Sequence, residues 1–266
     1  MGLESFALTD RVAIVTGASQ GLGEAIALAM ASAGAHVVIA SRNVENLQRV
    51  AKEIEKLGRK SLVVPTDVTV TSQVENMVSK TVDEFGGTDI LVNNAGGIGV
   101  GAHQLHDPSL TGSVREMSEE TWDMVFAVNL RATFVCSKTV VPVMFSQGKG
   151  NIINLSSMAG LIAYPLWANY GAAKAGVSNL TETLAADFAP NIRVNAIAPG
   201  VIATPTVTEA YRNAPELKEK RLNMILLRRI GLPEEIGHTA VFLASDASSF
   251  ITGQTIRVSG GQTTFV

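Results

Sequence analysis

A tyrosine and a lysine four residues apart, Tyr170 and Lys174, form the pattern in this sequence that most suggests proton transfer. Residues four apart on a helix lie on one face, one turn from each other. A free phenol has a pKa near ~10, and a neighbouring cation lowers it toward the range where the hydroxyl exchanges a proton at neutral pH. Such a tyrosine can donate a proton to a carbonyl oxygen or accept one from an alcohol. The pattern is short, so an exposed helix that carries both residues by coincidence is the alternative.

Short β-branched runs alternate along the chain with longer segments that carry apolar residues at helical spacing. The predicted strands are Val12–Val15, His36–Ala40, Ser61–Val64, Ile90–Val92, Asn151–Leu155, Arg193–Ile197 and Thr255–Val258. The predicted helices are Gly23–Ala33, Val44–Lys56, Thr71–Phe85, Glu119–Ser146, Ala168–Phe188 and Pro233–Ala244. Most of the strands are continuous apolar runs, which is typical of strands buried on both faces. The alternation predicts a doubly wound α/β fold with a seven-stranded parallel sheet and helices on both faces. We expect one domain over residues 1–266.

The composition excludes several function classes. Of the 266 residues, 46% are hydrophobic and 17% are charged, and the formal net charge is −3 without any basic tract, so nucleic acid is not an expected partner. Cys136 is the single cysteine and cannot form an internal disulfide, which favours a cytoplasmic protein. We find no apolar run as long as a membrane span, and therefore expect no membrane association.

A glycine-rich stretch follows the first predicted strand, with glycines at positions 17, 21 and 23 before the next helix. Glycine permits a tight turn and lets a ligand approach the backbone closely, and a helix N-terminus offers N–H groups to a pyrophosphate. The spacing is G-x-x-x-G-x-G rather than G-x-G-x-x-G, and a simple strand–helix turn is the alternative. The strand before the loop and the helix after it favour a dinucleotide site.

The second predicted strand ends in Ser41 and Arg42, about where a dinucleotide's adenosine ribose would lie. The first carboxylate beyond them is Glu45, which we place in the following helix. A guanidinium and a hydroxyl bind a 2′-phosphate, whereas a carboxylate repels one, so NADP(H) is favoured over NAD(H). A solvated arginine on a loop is the alternative. Asp67 and Val68, after the third strand, lie where they could contact adenine, although Asp67 could equally be the N-cap of the next helix.

The fourth strand is followed by Asn93-Asn94-Ala95-Gly96-Gly97, which suits a tight turn at the ligand-binding edge of the sheet. A segment at about 98–117 then lacks clear periodicity and contains His103, His106 and Asp107. A loop of this length in a compact domain is usually functional. Further ligands at metal-binding spacing are missing, so we expect no metal site and place the segment near the substrate entrance.

Taken together, these motifs resemble the short-chain dehydrogenase/reductase family, and the match covers essentially the whole chain. The motifs occur in the family's order: the glycine loop at 16–23, Asn93-Asn94-Ala95-Gly96, Val128-Asn129, Asn154-Leu155-Ser156-Ser157, Tyr170-x-x-x-Lys174, and Pro199-Gly200 with Thr204. The resemblance implies a Rossmann-type domain that binds NAD(P) and transfers a hydride between nicotinamide and a carbonyl or secondary alcohol.

The resemblance also implies a catalytic tetrad of Asn129, Ser157, Tyr170 and Lys174. Ser157, rather than Ser156, stands at the family's usual distance before the tyrosine and would hold the substrate oxygen. Tyr170 would be the general acid in reduction and the general base in oxidation. Lys174 would lower the tyrosine pKa and hold the nicotinamide ribose, and Asn129 would fix a water molecule on Lys174.

Cofactor contacts are implied along the same motifs, with Asn93 and Gly96 flanking the cofactor and Ile202 and Thr204 meeting the nicotinamide amide. The expected cofactor-binding residues are Gly17, Ser19, Gln20, Gly21, Leu22, Gly23, Ser41, Arg42, Asn43, Asp67, Val68, Asn94, Ala95, Gly96, Tyr170, Lys174, Pro199, Gly200, Ile202 and Thr204. By analogy with the family we expect a homotetramer.

The resemblance leaves the substrate open. The 98–117 loop is longer than is usual in the family, and the substrate lid, at about 203–225, is the family's variable segment. Its apolar residues could cover a lipophilic ligand or pack on their own domain. Two rival functions are an NAD(H)-dependent sugar, steroid or secondary-alcohol dehydrogenase, and a dinucleotide sensor without turnover.

Overall fold

The chain folds into a parallel β-sheet with helices on both faces, and the computed structural model describes residues 3–97 and 112–262. The strands are β1 (Val12–Thr16), β2 (His36–Ser41), β3 (Ser61–Pro65), β4 (Ile90–Asn93), β5 (Gly150–Leu155), β6 (Ile192–Pro199) and β7 (Thr255–Val258). The helices are α1 (Gly21–Ser32), α2 (Val44–Lys56), α3 (Thr71–Phe85), α4 (Glu119–Phe126), α5 (Ala132–Gln147), α6 (Ala168–Phe188), α7 (Pro205–Asn213), α8 (Pro215–Asn223) and α9 (Pro233–Ala244). The predicted fold class is confirmed.

The strand order is β3-β2-β1-β4-β5-β6-β7, and all pairings are parallel. The chain runs outward from β1 to β3 and then returns to β4 on the other side of β1. Ligands of open α/β sheets bind at the carboxyl ends of the strands where the order reverses in this way. In this protein that point lies between β1 and β4.

Alternate residues of the central strands pack on opposite faces, which explains why the strands are continuous apolar runs. In β1, Ala13 and Val15 belong to the core beneath α1, α2 and α9, whereas Val12 and Ile14 belong to the core beneath α3, α5 and α6. All four side chains are buried. Both faces of the sheet therefore exclude water, and the site must lie at an edge.

The long helix predicted over 119–146 is interrupted. A π-helical segment, Ala127–Arg131, separates α4 from α5, so the prediction of one continuous α-helix was wrong at this point. π-helical segments are rare and occur often at functional sites. Asn129 is the buried residue of this segment.

The stretch Glu119–Gln147 is also long and apolar enough to cross a membrane by length and composition, contrary to the expectation that no segment would be. A core helix of a globular domain can meet the same criterion. Here Val135, Val140 and Met144 pack in the core on the α3–α5–α6 face of the sheet.

The expected lid at 203–225 consists largely of α7 and α8, which the sequence patterns did not resolve as helices. Some of its apolar residues face the cleft, where they could cover a ligand, and others pack on their own domain. Tyr211 and Leu217 line the cleft at the carboxyl edge of the sheet. Ile225 is instead buried against the turn that follows β7, where a Cβ atom at Gly260 would lie 2.9 Å from its Cγ2 atom.

Candidate active site

The glycine loop after β1 is held by hydrogen bonds to the turn after β4. The Thr16 hydroxyl accepts from the backbone N–H groups of Asn94 and Ala95, both at 3.1 Å. In return, Asn94 Nδ2 donates to the carbonyl oxygens of Thr16 and Gly17 at 2.9 and 3.2 Å. Asn94 thus supports the loop from below, a contribution that family resemblance alone did not define.

The glycines of the loop have different tasks. Gly17 and Gly21 have φ angles of +66° and +61°, which favour glycine. A Cβ atom at Gly23 would lie 2.2 Å from the Gly17 carbonyl oxygen, so Gly23 serves the close packing of α1 on the loop. No side chain caps the N-terminus of α1, where Gln20 is the N-cap residue. Its N–H groups are therefore available to an anion such as a pyrophosphate, and the loop fits a dinucleotide.

At the end of β2, Arg42 is exposed, and its positive charge contributes to holding the pKa of Asp67 below the ordinary value. The larger cause of that lowered pKa is the hydrogen bond that Asp67 accepts from the Thr69 hydroxyl at 2.6 Å. Asp67 also accepts from the Thr69 N–H, and Val70 is the N-cap residue of α3. The interpretation of Asp67 as the helix N-cap was therefore wrong, because its carboxylate closes a local turn instead.

Asn43 and Ser41 take part in the local structure of the same loop. Asn43 Oδ1 accepts from the Asn46 N–H at 2.9 Å and caps α2. The family motif did not predict this capping role. The Ser41 hydroxyl accepts from the Asn43 N–H at 3.2 Å. The Arg42 side chain, in contrast, forms no ion pair with the residues that the structure describes.

Tyr170 and Lys174 lie on one face of α6, as their spacing predicts. Lys174 Nζ is 5.7 Å from the centroid of the Tyr170 ring, and it donates a hydrogen bond to the Leu155 carbonyl oxygen at 2.7 Å. The Tyr170 hydroxyl bonds with the Ser157 hydroxyl. Two hydroxyl groups and an amine thus meet at the carboxyl end of β5, facing the cleft.

The neighbouring serines are separated by their surroundings. The Ser156 hydroxyl is buried behind α6, where it donates to the Lys174 carbonyl oxygen at 3.0 Å and lies 2.7 Å from the Ser178 hydroxyl. Ser157 caps a short 3-10 helix by accepting from the Ala159 N–H at 3.1 Å. The structure therefore pairs Ser157, and not Ser156, with the tyrosine.

The pKa of Tyr170 lies above its ordinary value in this structure, although Lys174 was expected to lower it. Burial raises the pKa of Tyr170, the hydrogen bond from Ser157 acts in the lowering direction, and the nearby Tyr164 acts in the raising direction. Burial also lowers the pKa of Lys174 to about 8. The physical reason is that both groups are removed from water, which disfavours phenolate and ammonium alike.

Asn129 is fully buried and does not line the cleft, although its neighbours Ala127 and Val128 do. Its side chain bonds to the backbone of Gly97 and to the Val125 carbonyl oxygen. A Cβ atom at Gly96 would lie 2.6 Å from Asn129 Oδ1 and 3.2 Å from Lys174 Nζ. Asn129 and Lys174 therefore both pack against Gly96, and three residues of distant segments meet at one point.

Asn93 was expected to flank the cofactor, and this was wrong. Its side chain is buried inside the fold, where Nδ2 donates to the Ser137 hydroxyl at 3.0 Å and to Asn154 Oδ1 at 2.9 Å. Asn154 Nδ2 in turn donates to the Thr181 hydroxyl at 2.9 Å. This polar network joins β4 and β5 to α5, which follows the π-helical segment, and to α6, which carries Tyr170.

A cleft of about 890 Å³ runs along the carboxyl edge of the sheet. Apart from Asn93, every residue expected to contact the cofactor lines it, and so does Ser157. Thr204 caps α7 by accepting from the Val207 N–H at 3.4 Å. His103 and His106 lie outside the described residues. Within the parts of the chain that are described, no group of three or more histidine, cysteine, aspartate or glutamate residues could hold a metal ion.

The sequence did not reveal an aromatic wall beside Tyr170, which is formed by Tyr164 and Trp167. Tyr164 and Trp167 stack with ring centroids 5.3 Å apart, and the Trp167 and Tyr170 rings meet edge to face at 5.9 Å. Arg221 of α8 lies over the first two rings, with Cζ 5.1 Å from the Tyr164 centroid and 6.0 Å from that of Trp167. Aromatic residues at intervals of three, leading up to Tyr170, were the available signal.

The chain is similar in sequence and in fold to known reductases and dehydrogenases. The family model described as Enoyl-(Acyl carrier protein) reductase matches residues 17–263. The chain is 41% identical over 255 residues to the 3-oxoacyl-[acyl-carrier-protein] reductase of Thermotoga maritima, covering 96% of this chain and 98% of the relative. A short-chain type dehydrogenase/reductase from Mycobacterium marinum superposes with a TM-score of 0.89 at 36% identity and covers 99% of both chains.

The chain belongs to the short-chain dehydrogenase/reductase family. It is an NAD(P)-dependent oxidoreductase that acts on CH–OH and C=O groups. A further solved member of the family, 7α-hydroxysteroid dehydrogenase in complex with NADH and 7-oxoglycochenodeoxycholic acid, has a TM-score of 0.90 at 33% identity. The superposition covers 100% of this chain and 99% of the chain of the 7α-hydroxysteroid dehydrogenase.

Proposed function

We propose that this protein is an NADP(H)-dependent oxidoreductase that reduces a ketone to a secondary alcohol, or the reverse, with Tyr170 as the proton donor or acceptor. The observation that carries the proposal is the meeting of the Ser157 and Tyr170 hydroxyls at the cleft, with Lys174 packed beside the tyrosine ring. A bound nicotinamide would supply the hydride. The protein residues then have to hold the carbonyl oxygen and exchange one proton with it.

Each residue of the group has a task that follows from its surroundings. The Ser157 hydroxyl donates a hydrogen bond to the substrate oxygen and stabilises the charge that develops there during reduction. Tyr170 donates its proton to the same oxygen, and its raised pKa keeps the phenol protonated at neutral pH. Lys174 is anchored by the Leu155 carbonyl, so its amine is held beside Gly96. We assign it to the nicotinamide ribose and to reprotonation of the tyrosine.

The preference for NADP(H) rests on the end of β2. Arg42 is exposed and without an ion pair among the described residues, and Ser41 lies beside it. The nearest following carboxylate, Glu45, is exposed on the first turn of α2. A guanidinium that is free to move can form a bidentate contact with a phosphate. NAD(H) is the rival cofactor, favoured by the NADH in the structure of the 7α-hydroxysteroid dehydrogenase.

A steady-state experiment tests the function. The purified protein is mixed with NADPH or NADH and a panel of ketones, in which 3-oxoacyl thioesters represent the chemistry named for the Thermotoga maritima relative. We expect NADPH oxidation by the wild type and none by Tyr170→Phe, which should still bind the cofactor because only a hydroxyl is lost. Tight cofactor binding without turnover of any ketone would contradict the proposal and favour the sensor.

We make two further proposals. We propose that the protein is a homotetramer, by analogy with the family. We also propose that it is cytoplasmic, which is supported by the single cysteine, Cys136, whose buried thiol forms no disulfide. Light scattering at micromolar concentration decides the assembly. A monomer would contradict it without affecting the catalytic proposal.

A further inference from the structure

One charged side chain of the described residues, Arg221, lies in the cleft beside the aromatic wall. Among the described residues that line the cleft, the charged ones are Arg42 and Asp67 at the end of β2 and β3, Lys174 beside the tyrosine, and Arg221. Of these four, Arg221 alone comes from the lid, and it lies over the rings of Tyr164 and Trp167. Its charge is therefore free for a task that the cofactor does not need.

The sequence of α8 directs Arg221 into the cleft. Leu217 and Arg221 are four residues apart and both line the cleft, so they share one helical face. The remaining charged residues of the helix, Glu216, Lys218, Glu219 and Lys220, are exposed, whereas Arg221 is half-buried. The residues three and four positions before and after Arg221 are Lys218, Leu217, Met224 and Ile225, so none of them is a carboxylate that could pair with it along the helix.

Among the described residues, Arg221 has aromatic neighbours and no ion-pair partner. It lies over the rings of Tyr164 and Trp167, and its charge acts to lower the pKa of the Tyr164 and Tyr211 hydroxyls. No carboxylate among the residues that the structure describes forms an ion pair with it. Stacking on aromatic faces occupies the flat faces of a guanidinium but leaves its N–H edge available for hydrogen bonds.

The stack is held in place from behind. Gln262, which is buried, donates through Nε2 to the Tyr164 hydroxyl. Tyr164 supports Arg221 directly, and Trp167 supports it while touching the reacting Tyr170 edge to face. Trp167 thus lies beside both the guanidinium and the catalytic phenol, so both groups are found at the same part of the cleft.

We propose that Arg221 binds a carboxylate of the substrate, so that the protein acts on oxo acids or hydroxy acids whose carbonyl or alcohol lies at Tyr170. The inference rests on the proposed function and assigns its substrate class. A half-buried cation that faces a cavity without an acidic neighbour is best satisfied by an anionic ligand. The apolar and aromatic walls made by Leu217, Trp167 and Tyr211 would cover the carbon chain between the two groups.

A carboxylate fits this place better than a phosphate. The planar edge of one guanidinium matches the two oxygens of a carboxylate and balances a single negative charge. A phosphate monoester carries nearly two charges at neutral pH, and no second cation of the described residues lines this end of the cleft. The substrate is therefore expected to carry one negative charge.

The test compares Arg221→Met with Lys218→Met, which removes a cation from the exposed face of the same helix. Each protein is assayed with NADPH and with aliphatic and aryl oxo acids of increasing length, each paired with its methyl ester. For the best oxo acid we expect Arg221→Met to lower kcat/KM about 10- to 100-fold while the value for the ester stays unchanged, because a hydrogen bond to a charged group is lost. Lys218→Met should change neither value.

Several outcomes would overturn the inference. Equal losses for acid and ester would mean that Arg221 only supports the aromatic wall, and a wild type without preference for the acid would contradict it directly. If the wild type reduces no ketone at all, the proposed function fails, and calorimetric titration with 4-phenylbutanoate still decides the binding site. Weaker binding to Arg221→Met than to wild type would support a carboxylate site, and equal binding would overturn it. Tighter binding of phenyl phosphate than of the carboxylate would also overturn it.

Discussion

Both ends of the Asn129 side-chain amide bond to the backbone of Gly97. Nδ2 donates to the Gly97 carbonyl oxygen at 2.8 Å, and Oδ1 accepts from the Gly97 N–H at 3.0 Å. Nδ2 also donates to the Val125 carbonyl oxygen at 2.8 Å, in the helical turn that the π-helical segment widens. Hydrogen bonds therefore connect the segment that follows β4 to the π-helical segment and to α4, close to Lys174.

This arrangement predicts that Asn129→Ala loosens the cleft as well as the fold. The variant leaves two backbone groups of Gly97 without their partner, and we expect a loss of about 1–3 kcal/mol in the free energy of unfolding in urea. We also expect weaker cofactor binding, because Gly96 and Lys174 lie beside the broken contact.

Asn151→Ala is the control for that prediction. It removes a buried hydrogen bond to the Leu243 carbonyl oxygen at 2.8 Å, near the other end of β5. We expect it to destabilise the protein without changing the KM for the cofactor. If both variants have the same effect on KM, the fastening of Gly97 does not contribute to the cleft.

The second prediction concerns the serine pair. Ser157→Ala removes the hydroxyl that bonds to Tyr170 and should lower kcat about 100-fold, the usual loss for one donor to a developing oxyanion. That hydrogen bond acts to lower the Tyr170 pKa. Its loss should therefore shift the pH at which the rate of alcohol oxidation increases to a higher value. Ser156→Ala, whose hydroxyl bonds to Lys174 O and Ser178, should leave the position of that rise unchanged. Equal pH profiles for Ser157→Ala and the wild type would refute the assignment.

The sequence was sufficient for the seven strands and for most of the helices, although not for α7, α8 or the π-helical segment. The bounds of α2, α3, α6, α9 and β7 agree with the prediction, because each has a strong period and a clear start or end. The motif residues collect at one edge because parallel strands all end there. What the sequence predicted was therefore what local periodicity and strand direction decide.

The remaining features depend on contacts between distant segments. Asn93 and Asn94 are neighbours in sequence, but only the structure shows that Asn93 joins the buried network with Asn154 while Asn94 supports the glycine loop. The π-helical segment forms where Asn129 bonds to Gly97, and the local pattern there is simply helical. Arg221 meets Trp167 only because the lid folds over α6. No local pattern contains these pairings.

The third prediction uses the buried lysine. The folded-state pKa of Lys174 is about 8, below its ordinary value of 10.5. Between these values the unfolded chain holds the proton and the folded protein does not, so the stability of the cofactor-free protein rises with pH. Below about 8 both states hold it and the fold carries the full penalty of the buried charge.

Lys174→Met removes this penalty together with catalysis. At neutral pH we expect the inactive variant to be more stable than the wild type by up to about 3 kcal/mol, reduced by the lost bond to the Leu155 carbonyl. The difference should shrink as the pH rises from about 8 to 10.5. Urea unfolding at several pH values measures it, and a difference that is constant over this range would show that Lys174 does not titrate there.

The last prediction compares Arg42, which lines the cleft, with Arg49, which lies nearby but does not line it. Arg42 is exposed and has no ion pair among the described residues, whereas Arg49 is held by Glu24 through two hydrogen bonds of 2.6 and 2.7 Å. If Arg42 receives the 2′-phosphate, Arg42→Ala should lower kcat/KM for NADPH about 10- to 100-fold and leave that for NADH nearly unchanged. Arg49→Ala should leave the ratio of the two values as it is in the wild type, since its guanidinium is already paired. Arg42→Asp should reverse the preference, because a carboxylate repels the phosphate and can accept from the ribose hydroxyls of NADH. An Arg42→Ala variant that keeps the wild-type preference for NADPH would show that the phosphate is recognised elsewhere.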